Sequence, residues 1–304
     1  MRRKWMRKTV GIVGLGAMGR GVAASLLRAN FKVLGYDINA DVRSAFARSG
    51  GMACSSISTL GQLSDVVIVL VVNAAQTEQV LFGEDALAST LKRGSVVIAS
   101  ATVAPAFAAA MSKRLDAQGV DMIDAPVSGG VAGAAAGTLT IMGSGPQRAF
   151  EACRQVFEGY AAKVYRFGDE VGLGSKVKLL NNLLCGVHIA AACEAMALAK
   201  REGIDLQLLY DVITHSAGNS WAFQDRMPHV IASDFAPVTA LNIFVKDLGL
   251  VLDMAGGAEF IAPLTECAYR MFVSAAKAGY GLEDDTSVVK IFDDAAQLRA
   301  LTSR

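Results

Sequence analysis

The sequence has almost no excess of charge of one sign. Among its 304 residues, 29 lysines and arginines stand against 28 aspartates and glutamates, which gives a formal net charge of +1. Binding to nucleic acid or to an anionic membrane depends on a field of one sign, so we expect neither partner. The first eight residues are basic, but no leucine-rich core or cleavage site of a signal peptide follows them. We therefore predict a flexible tail and a cytoplasmic protein.

Cysteine and histidine are scarce and scattered. None of the five cysteines stands in a C-x-x-C pair, and the three histidines show no spacing typical of metal ligands. This pattern excludes a disulfide framework and a zinc site, and it favours the reduced thiols of a cytoplasm. The sequence also lacks a G-x-S-x-G nucleophile elbow. We predict no metal site and no nucleophilic triad.

Long hydrophobic runs are few. The run VVIVLVV at 66–72 is far shorter than the roughly 20 residues that a membrane span needs. Its β-branched side chains are typical of a strand that is buried on both faces. The stretch at 183–199 is long enough to span, but it contains His188 and Glu194. We interpret it as a buried helix and predict no membrane segment.

The pattern that is present changes near residue 171. Before it, short β-branched runs alternate with stretches of helical length, as in a parallel sheet whose strands are joined by helical crossovers. After it, apolar residues recur at helical spacing with almost no strand signal. We predict an α/β Rossmann-type N-terminal domain with a mainly parallel sheet at 8–171, followed by an all-α C-terminal domain at 172–304. The candidate strands are 9–15, 32–37, 65–71, 95–100, 120–125 and 138–143.

A glycine-rich turn, GIVGLGAMGR, opens the first half. Gly14, Gly16 and Gly19 form G-x-G-x-x-G between a β-rich run and a helical pattern, and the next strand ends in Asp37. An acid about 20 residues after the first glycine is typical of dinucleotide-binding units. The glycines allow a tight turn and a close approach to a pyrophosphate, whose charge the helix N-terminus stabilises. The alternative is an ordinary strand–helix turn.

The acid after the second strand indicates which dinucleotide is bound. The carboxylate of Asp37 can accept hydrogen bonds from ribose hydroxyls, and it would repel a 2′-phosphate. An NADP site would be expected to carry an arginine nearby, and we expect Arg43 to face away on the next helix. We therefore predict NAD as the cofactor rather than NADP.

A second glycine-rich stretch runs from 124 to 145. Pro126 fixes a turn, and Ser128, Gly129 and Gly130 supply a hydroxyl and unobstructed backbone N–H groups. Such a set of donors suits a small carboxylate. The alternative is a flexible connection between strands.

The helical half begins with GLGSKVKLLNN at 172–182. We predict that Ser175 caps the helix start. Lys178 and Asn182 are four residues apart and share a helix face. A partly desolvated lysine has a lowered pKa and can exchange a proton near neutral pH, which would suit Lys178 to catalysis. The alternative is that Lys178 is a surface lysine whose ammonium extends to solvent.

Lys246 and Asp247 form a further polar pair in the apolar stretch NIFVKDLGL. One interpretation places Lys246 near the cofactor. The other is an ion pair on the helix surface.

These motifs together resemble those of a known family. GIVGLGAMG, DAPVSGG, GLGSKVKLLNN and FVKDLGL occur in the order and at the spacing of the β-hydroxyacid dehydrogenases, from about residue 8 to 293. The resemblance implies NAD-dependent hydride transfer assisted by a lysine, a small sugar-acid substrate, and a homodimer or homotetramer. The helical half is most similar to the branch that oxidises L-threonate to 2-oxo-tetronate. The alternatives are oxidation of 3-hydroxyisobutyrate, reduction of tartronate semialdehyde and, more remotely, NAD binding without catalysis.

The resemblance also implies a role for individual residues. Lys178 would be the catalytic lysine and would contact the substrate. The other substrate-binding residues would be Ser128, Gly129, Gly130 and Asn182. The cofactor would be bound by Gly14, Leu15, Gly16, Ala17, Met18, Gly19, Asp37, Asn73, Thr102 and Lys246.

Overall fold

A computed structural model describes residues 8–293, and the chain folds as two compact units that divide between Lys178 and Leu179. Residues 1–7 of the predicted flexible tail lie outside the described residues. The predicted domain boundary, after residue 171, lies at the glycine turn that precedes a long helix, whereas the two units divide within that helix.

The first unit contains a six-stranded sheet in which every neighbouring pair is parallel. The strand order is β3-β2-β1-β4-β5-β6, which confirms the predicted Rossmann-type sheet. The sequence missed β3, a strand of two exposed residues that carries no hydrophobic alternation. The strands are β1 (Thr9–Val13), β2 (Lys32–Tyr36), β3 (Met52–Ala53), β4 (Val66–Val69), β5 (Val96–Ala99) and β6 (Asp121–Asp124).

Helices cover both faces of this sheet. In β4, Val66 and Ile68 belong to one hydrophobic core, and Val67 and Val69 belong to the other. Strands between two layers of helices are apolar at every position, which explains the uninterrupted β-branched run. The helices are α1 (Ala17–Arg28), α2 (Ala40–Arg48), α3 (Ile57–Leu63), α4 (Ala74–Phe82), α5 (Pro105–Asp116), α6 (Gly130–Ala136) and α7 (Gln147–Glu158).

A second, three-stranded sheet completes the first unit. β7 (Val127–Ser128) pairs antiparallel with β8 (Leu139–Gly143), and β8 pairs parallel with β9 (Ala161–Arg166). The sequence predicted only the strand at 138–143 and assigned it to the main sheet. It missed β9 because this strand is an exposed edge without a buried face.

The second unit is helical, which confirms the predicted fold class. Side chains from its helices form one core, in which the rings of Phe244 and Phe272 stack with centroids 5.2 Å apart. A π-helical turn (Ala276–Tyr280) and a 3₁₀ helix (Asp285–Asp293) follow the last α-helix. The α-helices are α8 (Leu173–Arg201), which begins in the first unit, α9 (Leu206–Thr214), α10 (Trp221–Ala232), α11 (Leu241–Gly257) and α12 (Pro263–Ala275).

Among the described residues, α8 is long and apolar enough to cross a membrane by length and composition alone. Half of the most apolar 18-residue stretch of α8 is buried within the protein. Ile189, Cys193 and Met196 lie on this helix and belong to the core of the second unit. The predicted interpretation of this stretch as a buried helix agrees with that packing.

Candidate active site

The glycine-rich turn connects β1 to α1 as the motif predicts. Gly14 has φ +92°, a conformation that favours glycine, and its N–H donates to the carbonyl of Tyr36 at 2.9 Å. A Cβ at Gly19 would lie 1.9 Å from the carbonyl oxygen of Gly14, so only glycine allows α1 to start this close to the strand. The two outer glycines therefore fix the geometry of the turn.

The start of α1 fits a dinucleotide pyrophosphate. Gly16 is the N-cap residue, and no side chain caps the helix. A Cβ at Gly16 would meet no atom within 4 Å, and both Gly16 and Ala17 are exposed. The first turn of a helix presents N–H groups that lack intrahelical partners, together with the positive end of the helix dipole. The turn is thus an open cradle for an anion.

Asp37 lies directly after β2 and faces this turn. Its Oδ2 accepts a hydrogen bond from the Leu15 N–H at 2.8 Å, and its Oδ1 accepts one from the Asn39 N–H at 2.9 Å. Each carboxylate oxygen keeps a lone pair for a further donor. The side chain is half-buried, so a ribose could reach it.

The prediction that Arg43 faces away from this site is wrong. Its Nη1 donates to the carbonyl oxygen of Asp37 at 2.6 Å and to that of Ile38 at 3.2 Å. The guanidinium also lies 5.7 Å from the centroid of the Tyr36 ring. The long side chain reaches back along the first turn of α2, where two carbonyl oxygens accept from the guanidinium and the Tyr36 ring adds a cation–π contact.

Two further predicted cofactor residues follow neighbouring strands. Asn73 comes after β4 and Thr102 after β5, and both strands run parallel to β1. Since parallel strands end at the same edge of a sheet, both residues lie at the edge that carries the Gly14 turn. The Asn73 Oδ1 accepts a hydrogen bond from the Gln76 N–H at 2.9 Å and so caps α4.

The predicted carboxylate-binding segment joins β7 to α6. Gly129 and Gly130 have φ values of +124° and +61°, and both are exposed after the half-buried Ser128. α6 packs closely on α1, because a Cβ at Gly21 would lie 2.8 Å from the Ala134 Cβ. The segment is therefore attached to the same helix that begins at the dinucleotide turn.

A buried acid that the sequence reasoning missed anchors the start of α8. Asp124 ends β6 and is 1% exposed. Its carboxylate accepts from the Ser175 N–H at 2.7 Å, the Ser175 hydroxyl at 2.8 Å and the Gly172 N–H at 3.2 Å. Burial raises the pKa of Asp124, although these donors oppose the shift. The signal in the sequence was an acid at the end of a buried strand, directly before Ala-Pro.

The prediction that Ser175 caps α8 is therefore wrong. The helix begins at Leu173, and the Ser175 hydroxyl donates to Asp124 instead of accepting from the helix backbone. The Asp124 carboxylate accepts from the N–H of Gly172, just before the helix, and from that of Ser175, while the Ser144 hydroxyl accepts from the Gly174 N–H at 3.0 Å. Lys178 lies one turn further along and is half-buried.

A hydrogen-bonded group of three side chains lies in the second unit. Asn182 on α8 donates through Nδ2 to the Oδ2 of Asp247 on α11 at 2.6 Å. Lys246 forms an ion pair with the Oδ1 of Asp247. Asp247 is only 3% exposed, so the interpretation of Lys246 and Asp247 as a pair on the helix surface is wrong. The link from Asn182 to Asp247 is a contact that the sequence did not reveal.

Comparison with known proteins decides the family. The family model for the NAD binding domain of 6-phosphogluconate dehydrogenase matches residues 9–168. The model for the NAD-binding domain of NADP-dependent 3-hydroxyisobutyrate dehydrogenase matches residues 172–292. The chain belongs to the 3-hydroxyisobutyrate dehydrogenase-like family of β-hydroxyacid dehydrogenases. It is an NAD-dependent hydroxyacid dehydrogenase.

Individual relatives in this dehydrogenase family are similar over nearly the whole chain. An L-threonate dehydrogenase from Cupriavidus necator is 55% identical over 287 residues, which are 94% of this chain and 97% of the relative. An L-threonate dehydrogenase from Escherichia coli is 51% identical over 284 residues, which are 93% of this chain and 94% of the relative. A crystal structure of a 3-hydroxyisobutyrate dehydrogenase from Salmonella typhimurium is 49% identical, with a TM-score of 0.89 over 93% of this chain and 99% of that one.

Proposed function

We propose that this dehydrogenase oxidises L-threonate at C2 to 2-oxo-tetronate and reduces NAD. The observation that carries the proposal is the identity of 47–55% to five L-threonate dehydrogenases, each over at least 93% of this chain. Because at least 93% of this chain is covered, the similarity extends over both compact units. A similarity of this extent supports a shared substrate as well as a shared cofactor.

The glycine turn and its neighbours would hold the NAD. The N–H groups at the start of α1, from Ala17 to Gly19, would bind the pyrophosphate, and Leu15 would line the turn. Asp37 would accept hydrogen bonds from the ribose, while Asn73, Thr102 and Lys246 would complete the cofactor-binding set. When bound, NAD supplies the acceptor for the hydride that leaves C2.

The remaining residues act on the substrate. Ser128, Gly129 and Gly130 would bind its carboxylate through the serine hydroxyl and backbone N–H groups. The neutral amine of Lys178 accepts the proton of the C2 hydroxyl while the hydrogen on C2 leaves as a hydride, with both electrons of the C2–H bond. Asn182 would donate a hydrogen bond to the substrate. In the reverse direction, the ammonium of Lys178 returns the proton to the forming alkoxide.

We also propose that the enzyme is a cytoplasmic homodimer or homotetramer. Leu180, Leu184 and Leu198 on α8 are more than half exposed, at 54%, 56% and 59%. Such a row of leucines on a long helix supports a subunit interface. Light scattering of the purified protein measures its mass and would reject the proposal if it gave 31.8 kDa, the mass of one chain.

A second candidate substrate is 3-hydroxyisobutyrate, after which the similar Salmonella dehydrogenase is named. NAD reduction with L-threonate, D-threonate, D-glycerate and 3-hydroxyisobutyrate compares the candidates, and NADH oxidation tests tartronate semialdehyde. We expect kcat/KM for L-threonate to exceed each of the others by at least about tenfold, or about 1.4 kcal/mol of transition-state stabilisation. A higher kcat/KM for 3-hydroxyisobutyrate would replace the proposal with the second candidate.

A further inference from the structure

We infer that Asp247 is a positioning residue, which fixes the amide of Asn182 and the ammonium of Lys246 in one arrangement. The inference rests on the proposed function, because it takes Asn182 as a substrate-binding residue and Lys246 as a cofactor-binding residue. Asp247 itself need not touch either molecule. It acts through the two side chains that its carboxylate holds.

The chemistry of a carboxylate determines how the Asn182 amide is oriented. An ionised Asp247 only accepts hydrogen bonds, so the Asn182 Nδ2, at 2.6 Å from Oδ2, must face it. The Asn182 Oδ1 then points the other way and accepts from the Asn181 Nδ2 at 3.2 Å. This leaves one N–H of Nδ2 and one lone pair of Oδ1 for other partners. Without the carboxylate, the amide could rotate by half a turn and present its oxygen where its N–H belongs.

Burial makes this arrangement stiff. Asn182 and Asp247 are 5% and 3% exposed, so water cannot replace either partner easily. A buried carboxylate is costly unless charges and donors compensate it, and Lys246 and Asn182 do so from two sides. The side chain of Lys246 is 25% exposed, so this residue lies at the edge of the buried group. Removing Asp247 would therefore take a partner from Lys246 as well as from Asn182.

Close packing of the two helices holds the contact in register. A Cβ at Gly186 on α8 would lie 2.9 Å from the Leu248 side chain on α11. Gly186 stands one turn after Asn182, and Leu248, which is fully buried, stands next to Asp247. The glycine thus lets α11 approach α8 at the level where the amide meets the carboxylate. The short Asn182–Asp247 distance follows from the packing of two helices and does not depend on a mobile loop.

A double-mutant cycle tests the inference. The variants are Asn182→Ala, Asp247→Ala and the double variant, and the readout is kcat/KM for the hydroxy acid at saturating NAD. Loss of a hydrogen bond to a charged group in the site should lower kcat/KM by about 100-fold in each single variant. Because Asp247 acts through Asn182, the double variant should fall within about threefold of the poorer single variant. If the fold losses of kcat/KM in the two single variants multiply in the double variant, Asp247 acts independently of Asn182, and the inference is overturned.

Two further variants separate positioning from folding. Asp247→Asn keeps the size of the side chain but loses the charge that binds Lys246, so the KM for NAD should rise by about tenfold at an unchanged melting temperature. An unchanged KM for NAD would overturn the part of the inference that concerns Lys246. Asp253→Asn makes the same substitution at an exposed site on α11 and should leave both kinetic constants unchanged.

The test remains separable from the proposed substrate. It uses whichever hydroxy acid the wild-type enzyme oxidises with the highest kcat/KM. If L-threonate is not that acid, the proposed function fails while the cycle can still be measured. If L-threonate is preferred but the effects of Asn182→Ala and Asp247→Ala multiply, the inference fails while the function stands.

Discussion

Asp37 shows how one side chain connects a turn to cofactor choice. Its two oxygens accept from backbone N–H groups before and after it, which holds the carboxylate beside the glycine turn. Arg43 places a cation at the backbone carbonyl of the same residue. The site therefore contains an anion that repels a 2′-phosphate and, close to it, a cation that would attract one.

Replacing this carboxylate should relax the cofactor preference. In Asp37→Ala, the ribose loses its acceptor and Arg43 remains, so we expect kcat/KM for NAD to fall by about tenfold or more and that for NADP to rise. Initial rates with each cofactor at saturating hydroxy acid measure both values. Asp41→Ala, at an exposed acid on α2, should change neither value. A variant that rejects NADP as strongly as the wild type would contradict this role for Asp37.

For individual residues, the sequence predicted the positions that depend on the spacing within a short motif. Gly14, Gly16 and Gly19 lie in the turn that their pattern indicates. The contact between Asn182 and Asp247 could not be predicted, because the two residues are 65 positions apart and meet only when α8 packs on α11. Arg43 was misplaced because helical periodicity gives the direction of Cβ but not the path of a long, flexible side chain.

At the scale of the secondary-structure element, a buried carboxylate at the end of β6 anchors the start of α8. Asp124 accepts three hydrogen bonds, one from Gly172 just before α8 and two from Ser175 in its first turn. Gly174 permits this approach, because a Cβ there would lie 2.6 Å from the Asp124 carbonyl oxygen. β6 thus fixes where the lysine helix begins.

Removing the carboxylate should destabilise the protein. Asp124→Ala leaves three buried donors without their acceptor, and we expect the free energy of unfolding to fall by about 3 kcal/mol. Ser175→Ala removes one hydroxyl donor and should cost about 1 kcal/mol. Urea denaturation followed by circular dichroism measures both changes. Asp116→Asn, at an exposed acid on α5, serves as the control, and equal stability of Asp124→Ala and the control would contradict the anchoring role.

The elements themselves were largely predictable. Every strand with a buried face in the six-stranded sheet was predicted, and the long helices followed from their apolar periodicity. The strands that were missed are β3, β7 and β9, which are short or exposed. The serine cap at Ser175 was a wrong prediction, because the true partner of the helix start comes from β6 through tertiary packing and leaves no local pattern.

At the scale of the whole molecule, a buried acid should make stability depend on pH. Asp285 is fully buried, with its Oδ1 3.2 Å from the Nε of Arg226. Burial raises the pKa of Asp285 from 3.8 to about 7, although Arg226 opposes the shift. The folded state therefore keeps this proton in a pH range where the unfolded chain has lost it. The stability that this retained proton contributes is fully present below pH 3.8 and is lost as the pH rises through about 7.

Asp285→Asn should remove this dependence. Between pH 4 and 7, the folded state binds this one extra proton, so the free energy of unfolding falls by at most about 1.4 kcal/mol for each unit by which the pH rises. The variant should show a shallower decline than the wild type when urea denaturation is followed at pH 5, 6 and 7. Asp293→Asn, at the exposed end of the same 3₁₀ helix, should follow the wild-type slope. Parallel curves for Asp285→Asn and the wild type would contradict the prediction.

The central claim is that Lys178 exchanges the hydroxyl proton during hydride transfer. The most direct measurement is kcat for L-threonate oxidation by Lys178→Ala, together with the Kd for NADH, with Lys176→Ala as a matched exposed control two residues earlier. We predict that kcat falls by about 10²–10⁴-fold in Lys178→Ala while the Kd for NADH and the activity of Lys176→Ala stay at wild-type values. Turnover by Lys178→Ala at the wild-type rate would contradict the claim.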